Sequence, residues 1–132
     1  MHELSIAASI VDAVTESVAA RPEIPAGSRV KEVRLRIGVL SAVIEDSLQF
    51  CWELAVEGTL LKGSVLAIRM LPVVVHCAGC SLDSRLDGMN SFRCPRCGEL
   101  TDDLRQGREL EIESIEVEEP EKSIPVEIEE QT

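Results

Sequence analysis

Apolar side chains recur along this chain with two periods, and the change between them marks out its elements. From residue 4 to residue 21 they fall at Leu4, Ala7, Val11, Val14 and Val18, the three-four spacing of a helix with one buried stripe. RPEIPAG (21–27) ends it, because Pro22 disfavours helical geometry at the residue before it. In RVKEVRLRIGVL, Val33, Leu35 and Ile37 alternate with Arg34 and Arg36, which predicts a half-buried strand. A turn through SAVIEDS leads to LQFCWELAVEG, which puts Leu48, Cys51, Trp52 and Ala55 on one helical face, with Gly58 as a stop. GSVLAIRML (63–71) predicts a second strand with Leu66, Ile68 and Met70 on one side. RELEIESIEVE (108–118) predicts a third, whose apolar set shifts phase at Ser114, from Leu110 and Ile112 to Ile115 and Val117. A one-residue shift of this kind predicts a β-bulge.

The first and third strands carry opposite charge on their polar faces, Arg34 and Arg36 against Glu109, Glu111 and Glu113. Facing charges of opposite sign favour pairing of the two strands; two separately solvated faces are the plainer account. Pairing makes the cysteine-containing segment an insertion. The fold class is then α+β: two helices on a three-stranded mixed sheet, with an inserted four-cysteine subdomain. The expected boundaries are 1–72 plus 108–117 for the αβ domain, 73–107 for the insertion and 118–132 for a tail. Phe50, Phe92 and Trp52 are the only aromatic residues, so the core has to be aliphatic.

Charge changes the picture chiefly by exclusion. The net charge is −11, of which the tail EEPEKSIPVEIEEQT contributes −5. An acidic chain lacks the basic surface that nucleic acid requires. No apolar run approaches 18 residues and no basic-then-apolar leader opens the chain, which predicts no membrane span and a cytoplasmic location. The tail is expected to be disordered, although its IPVEI has some β character suited to folding onto a partner.

CAGC (77–80) and CPRC (94–97) are two C-x2-C pairs separated by thirteen residues. Each pair can form a tight knuckle holding two thiolates on one metal, and two knuckles supply the four ligands of tetrahedral Zn²⁺. The candidate zinc ligands are therefore Cys77, Cys80, Cys94 and Cys97, with Gly79 and Gly98 allowing the sharp backbone turns. A rubredoxin-like iron site uses the same donors, whereas disulfides and a thioredoxin-like pair suit neither the setting nor the spacing. Metal binding would supply most of the folding energy of so small an insertion. Cys51 is read as an inert buried thiol, and His76 as a residue beside the site rather than a fifth ligand.

The N-terminal MHE offers a different kind of donor set. Met1 is expected to be retained because His2 is bulky. The chain then presents an α-amine, the amides of His2 and Glu3, and the His2 imidazole. Nitrogen donors in a plane suit Ni²⁺ or Cu²⁺, and on intrinsic affinity Cu²⁺ is favoured. An ordinary polar helix start explains the same residues, since Glu near a helix N-terminus is favourable in any case.

Taken together, MHELSI at the start, RIGVLSAVIEDSLQFCWELAVEGT in the middle, the paired CAGC and CPRC, and GRELEIESIEVE resemble the HypA/HybF family of nickel metallochaperones. The resemblance runs to about Val117. It implies an αβαββ core with an inserted zinc finger, His2 as a nickel ligand, and Glu3 associated with the same site largely through its backbone. It also implies Ni(II) as transferred metal and Zn(II) as structural metal. The implied partners are the GTPase HypB and the precursor of the NiFe-hydrogenase large subunit, with homodimerisation left open. Some family members place an acidic side chain after the first strand, where this chain has Glu45 and Asp46. His76 and the tail 118–132 depart from the family pattern. No nucleophile–base pair, phosphate-binding glycine loop or open metal site points to an enzyme. The reading from another class is a zinc-ribbon interaction module with no transferable metal.

Overall fold

The computed structural model describes residues 2–87 and 92–120. Helix α1 spans Glu3–Ala19, strand β1 Arg29–Gly38, helix α2 Glu45–Ala55 and strand β2 Val65–Leu71. Strands β3 (Val73–Cys77), β4 (Leu82–Leu86) and β5 (Leu104–Gln106) precede β6 (Leu110–Glu118). The first sheet has the order β2-β1-β6, with β1 parallel to β2 and antiparallel to β6. This is the expected mixed sheet with two helices. The insertion adds a second three-stranded sheet, ordered β4-β3-β5, which the periodicity did not reveal.

The core lies between the helices and the β1 face that carries Val33, Leu35 and Ile37, all 1% exposed or less. From α2, Leu48 and Trp52 are buried there, with Cys51 and Ala55 packed half-buried beside them. Trp52 donates its indole N–H to Ser64 Oγ at 3.1 Å, so its one polar group is satisfied. On α1 the buried set is Ile6, Ala7, Ile10, Val11 and Val14. Leu4, expected in the stripe, is 48% exposed. A helix lying on a sheet buries two adjacent rows, and Leu4 falls in the first turn at the rim of that arc. Met70 is likewise exposed where β2 runs to the sheet's end, while Leu71 is buried at the passage to the second sheet.

The charged pairing of β1 with β6 is present, with changed partners. Arg36 meets Glu111 at 3.4 Å, Arg34 meets Glu116 at 3.4 Å and also donates to Ser114 Oγ at 3.2 Å. The register shifts between Arg34↔Ser114 and Leu35↔Ile112, which leaves Glu113 as the extra residue of the expected bulge. Glu109 does not join the arginines; its carboxylate accepts the Gly107 N–H at 2.9 Å.

Two short connections join the sheets, Pro72 between β2 and β3, and residues 107–109 between β5 and β6. Gln106 Nε2 donates to the Pro72 carbonyl at 3.0 Å and ties them together. Gly38 sits against the second connection, where a β-carbon would overlap the carbonyl group of Gly107. Both sides of that contact are backbone, so neither can yield without moving a strand. Gly38→Ala is therefore expected to destabilise the fold by about 3 kcal/mol or more, measurable as a shift of the urea unfolding midpoint.

Candidate metal centres

The first knuckle is the turn between β3 and β4. Cys77 ends β3 opposite Leu82, and Ser81 takes a left-handed conformation with φ 56°. The second is the hairpin turn between Arg93 and Leu100, closed by hydrogen bonds from the Gly98 N–H to the Cys94 carbonyl at 2.8 Å and from the Cys94 N–H to the Glu99 carbonyl at 2.8 Å. Gly98 has φ 80°. In both knuckles the left-handed residue is thus the one after the second cysteine. Gly79, expected to serve this purpose, does not have positive φ; Ser81, two residues further on, adopts the strained conformation instead.

These turns bring all four sulfur atoms within 4.8 Å of one another. Cys77 and Cys97 are 3.6 Å apart, and Cys80 and Cys94 are 3.9 Å apart. A tetrahedron with metal–sulfur distances of about 2.3 Å has edges of about 3.8 Å, so the donors already match a four-thiolate ion in number, kind and spacing. The thiols are electrostatically unequal. N–H groups of Cys97 and Arg96 point at Cys94 and lower its pKa to about 7. Hydrogen bonds with Cys97 and Cys94 push Cys80 up to about 12. At Cys97 the Glu99 N–H lowers the value, but the contact with Cys77 and desolvation leave it raised overall.

His76 is outside the sulfur cluster. Its Nδ1 lies 2.8 Å from Asp83 Oδ1, its N–H donates to the Asp103 carbonyl at 2.8 Å, and its carbonyl accepts from Thr101 Oγ1 at 2.6 Å. It joins β3 to β4 and to the segment before β5. Sequence reasoning did not anticipate Thr101 and Asp103 in this role, because neither has a spacing that signals one.

At the other end of the molecule, His2 is the N-cap of α1, with extended φ −94° and ψ 116°, and its side chain makes no capping hydrogen bond. Its carbonyl accepts the first helical bond, from the Ile6 N–H at 3.2 Å. Glu3 reaches across to the second helix, where Oε2 accepts the Ile44 N–H at 3.0 Å. Ile44 is the N-cap of α2 and has no side-chain acceptor of its own, so Glu3 supplies the missing cap from another element. Glu45 and Asp46 occupy the first turn of the helix that Glu3 caps. Among the described residues, the ligand atoms of His2, Glu3, Glu45 and Asp46 do not converge into a cluster as those of the cysteines do. The α-amine of Met1 lies outside the described residues.

The Ile44 N–H, then Glu3's own, hold the Glu3 carboxyl below its ordinary pKa. A lowered folded-state value means stabilisation that is fully present above the usual glutamate range and is lost as pH falls through the folded value. Glu3→Gln is therefore expected to lower the melting temperature by a few degrees at pH 7. The difference should shrink as pH falls below the ordinary glutamate range and through the lowered folded value, as thermal melts across pH will show.

Together these features define a class: a small α+β metal-site protein in which a helix-and-sheet domain carries a two-knuckle thiolate site. The family model described as "Hydrogenase/urease nickel incorporation, metallochaperone, hypA" matches residues 1–117. The chain is 38% identical to the hydrogenase maturation factor HypA of Thermomicrobium roseum, over 89% of this chain and 98% of that one. It is 43% identical to the protein of the same name from Chloroflexus aurantiacus, over 88% and 98%. The solution structure of the Ni metallochaperone HypA from Helicobacter pylori shares its fold, with a TM-score of 0.61 at 24% identity, covering 91% of this chain and all of that one. The chain belongs to the HypA family. Among the described residues, no helix is long and apolar enough to cross a membrane.

Proposed function

We propose that the protein is a nickel metallochaperone rather than an enzyme, binding Ni(II) at its N-terminus and delivering it during maturation of the NiFe-hydrogenase large subunit. The family match across residues 1–117 carries this reading. His2 is the nickel ligand, with nitrogen donors from the chain end completing a set suited to Ni²⁺. Glu3 contributes its backbone, since its carboxylate is engaged at Ile44. Two helix N-termini meet near this point and disfavour a cation, and Glu3, Glu45 and Asp46 offset them.

Release follows from the same chemistry. Ligand nitrogens that take up protons let the metal go, so acidification discharges nickel. A site at a chain end also admits an acceptor's ligands one at a time. The GTPase HypB and the large-subunit precursor are the proposed partners, in the cytoplasm, and the acidic surface argues against nucleic acid. Cys77, Cys80, Cys94 and Cys97 hold Zn(II), whose role is structural because four thiolates leave no open position. The finger is the segment 73–107 inserted into the domain formed by 1–72 and 108–117.

The amine supplies a direct test. A few residues added ahead of Met1 should weaken nickel binding even with His2 present, as measured by titration calorimetry against the untagged chain. Equal affinity for the two would remove the amine from the ligand set. A zinc-loaded chain that takes up no nickel at all would leave only a zinc interaction module.

A further inference from the structure

An apolar groove stands open between α1 and β6. Ile6 and Ile10 with Leu110 and Ile112 line a cavity of about 480 Å³, where Ser5, Ser9 and Ala13 keep the helix wall low. The groove continues along the helix past Ser17 to Ile115 and Val117. Leu110 and Ile112 are 39% and 37% exposed, unusual for core-facing positions of a strand. Among the described residues β6 is also an edge strand.

The free edge has a definite polarity. The carbonyls of Gly107 and Glu109 accept from Leu40 and Gly38, on the β1 side. Alternation along an antiparallel strand then turns the backbone groups of Leu110 and Ile112 outward. Beyond the bulge, Ser114 pairs with Arg34 in the same β1 parity, so Ile115 also points outward.

The chain leaves β6 at Glu118, at the Val117 end of this groove, and Pro120 lies beside Gly27. The twelve residues that follow, EKSIPVEIEEQT, lie outside the described residues. In them Ile124, Val126 and Ile128 alternate with Pro125, Glu127 and Glu129, a period of two with one apolar side.

We propose that residues 123–129 return along β6 as an added antiparallel strand of the same chain, with Ile124, Val126 and Ile128 filling the groove over α1. A loop of Glu119, Pro120, Glu121 and Lys122 puts Ile124 beside Val117 and Val126 beside Ile115, with Ile128 reaching Ile112 across the bulge. Three independent features agree with this register. The apolar parity of the tail matches that of the groove. Pairing of Val126 with the outward-facing Ile115 turns Pro125, which has no N–H, away from β6, where no donor is needed. That proline and the acidic residues beside it also blunt the new edge against further chains. Glu127 and Glu129 fall on the charged face, where Arg36 and Arg34 meet Glu111 and Glu116.

Hydrogen exchange tests this without reference to nickel. The comparison is between the full chain, a full chain with Val126→Asp, and a chain ending at Pro120, which retains all of the family-matched region. In the full chain the amides of Ile112, Ile115 and Val126 should be protected, independently of protein concentration. Those of Ile112 and Ile115 should exchange at least about tenfold faster in both altered chains, while β1 amides stay unchanged. Equal exchange in all three overturns the proposal. Protection that grows with protein concentration as the sedimenting mass doubles also overturns it, and assigns the groove to a second copy.

Discussion

Replacing His2 with alanine is expected to weaken nickel binding by at least about 100-fold, above the 10- to 100-fold that follows loss of a mere outer-shell partner. Zinc content and melting temperature should stay as they are. The selectivity of this effect follows from how little His2 does for the fold. Its side chain is exposed and makes no capping bond, and the helical bond it does make uses its carbonyl, which alanine retains. The loss should extend to Cu²⁺, which competes for the same nitrogen donors. Titration calorimetry with the untagged protein measures both, and an unchanged nickel affinity would remove His2 from the site. Glu3→Gln provides the contrast. It perturbs the α2 cap and hence the melting temperature, but keeps the backbone nitrogen that the proposed site uses.

Cys94→Ser, or stripping of metal by a chelator, should instead leave the N-terminal domain standing and collapse the second sheet. Among the described residues from β3 to β5 the buried ones are few: Val73, Val75, Cys77, Ser84 and Cys94. Two of these five are sulfur donors, so without metal only two valines remain as fully buried apolar side chains among the described residues. That is too little apolar surface to offset the entropy of ordering some thirty residues, roughly 1–2 kcal/mol each for the backbone. Amide resonances of β3, β4 and β5 should lose dispersion while those of β1 and β2 persist, and zinc should restore them. Affinity should fall as pH is lowered, because every ligand must be a thiolate and protons compete for all four sulfurs. Cys94, drawn to about 7 by the N–H groups of Cys97 and Arg96, gives up its proton more easily than Cys80 or Cys97, which are raised. A chelated protein that keeps its second sheet would show that the lobe does not depend on metal.

Much of this organisation was legible in the residue pattern. The alternation of Val33, Leu35 and Ile37 identified the central strand; the complementary charges favoured β6 as its neighbour without deciding it against two separately solvated faces, and the structure shows the pairing. The phase shift at Ser114 marked the bulge to within a residue. The paired C-x2-C motifs identified the sulfur cluster before any geometry, because few other uses exist for four cysteines at that spacing. The second sheet was not legible. Val73 and Val75 are buried, but β4 reads LDSRL and β5 only LRQ, too short and polar to show a period. The first knuckle joins β3 to β4, and β5 is held to β3 through Thr101 and Asp103 on His76 and through Gln106 on Pro72, contacts between residues far apart in the chain.

The sequence by itself determined the two helices, the three long strands and the four-thiolate site, since each rests on a local period or a fixed spacing. It also identified His2 and Glu3 as candidate chemistry, through their position and their resemblance to a family. Only the tertiary structure decided what Glu3 does with its carboxylate. Ile44 lies 41 positions along the chain and no local period links it to Glu3; the bond exists because two helices that pack side by side bring their N-termini together. The same holds for Gly38, whose small size matters only where Gly107 crosses it. Contacts between distant segments are made by packing, and packing is set by the whole core rather than by any stretch that can be read along the chain.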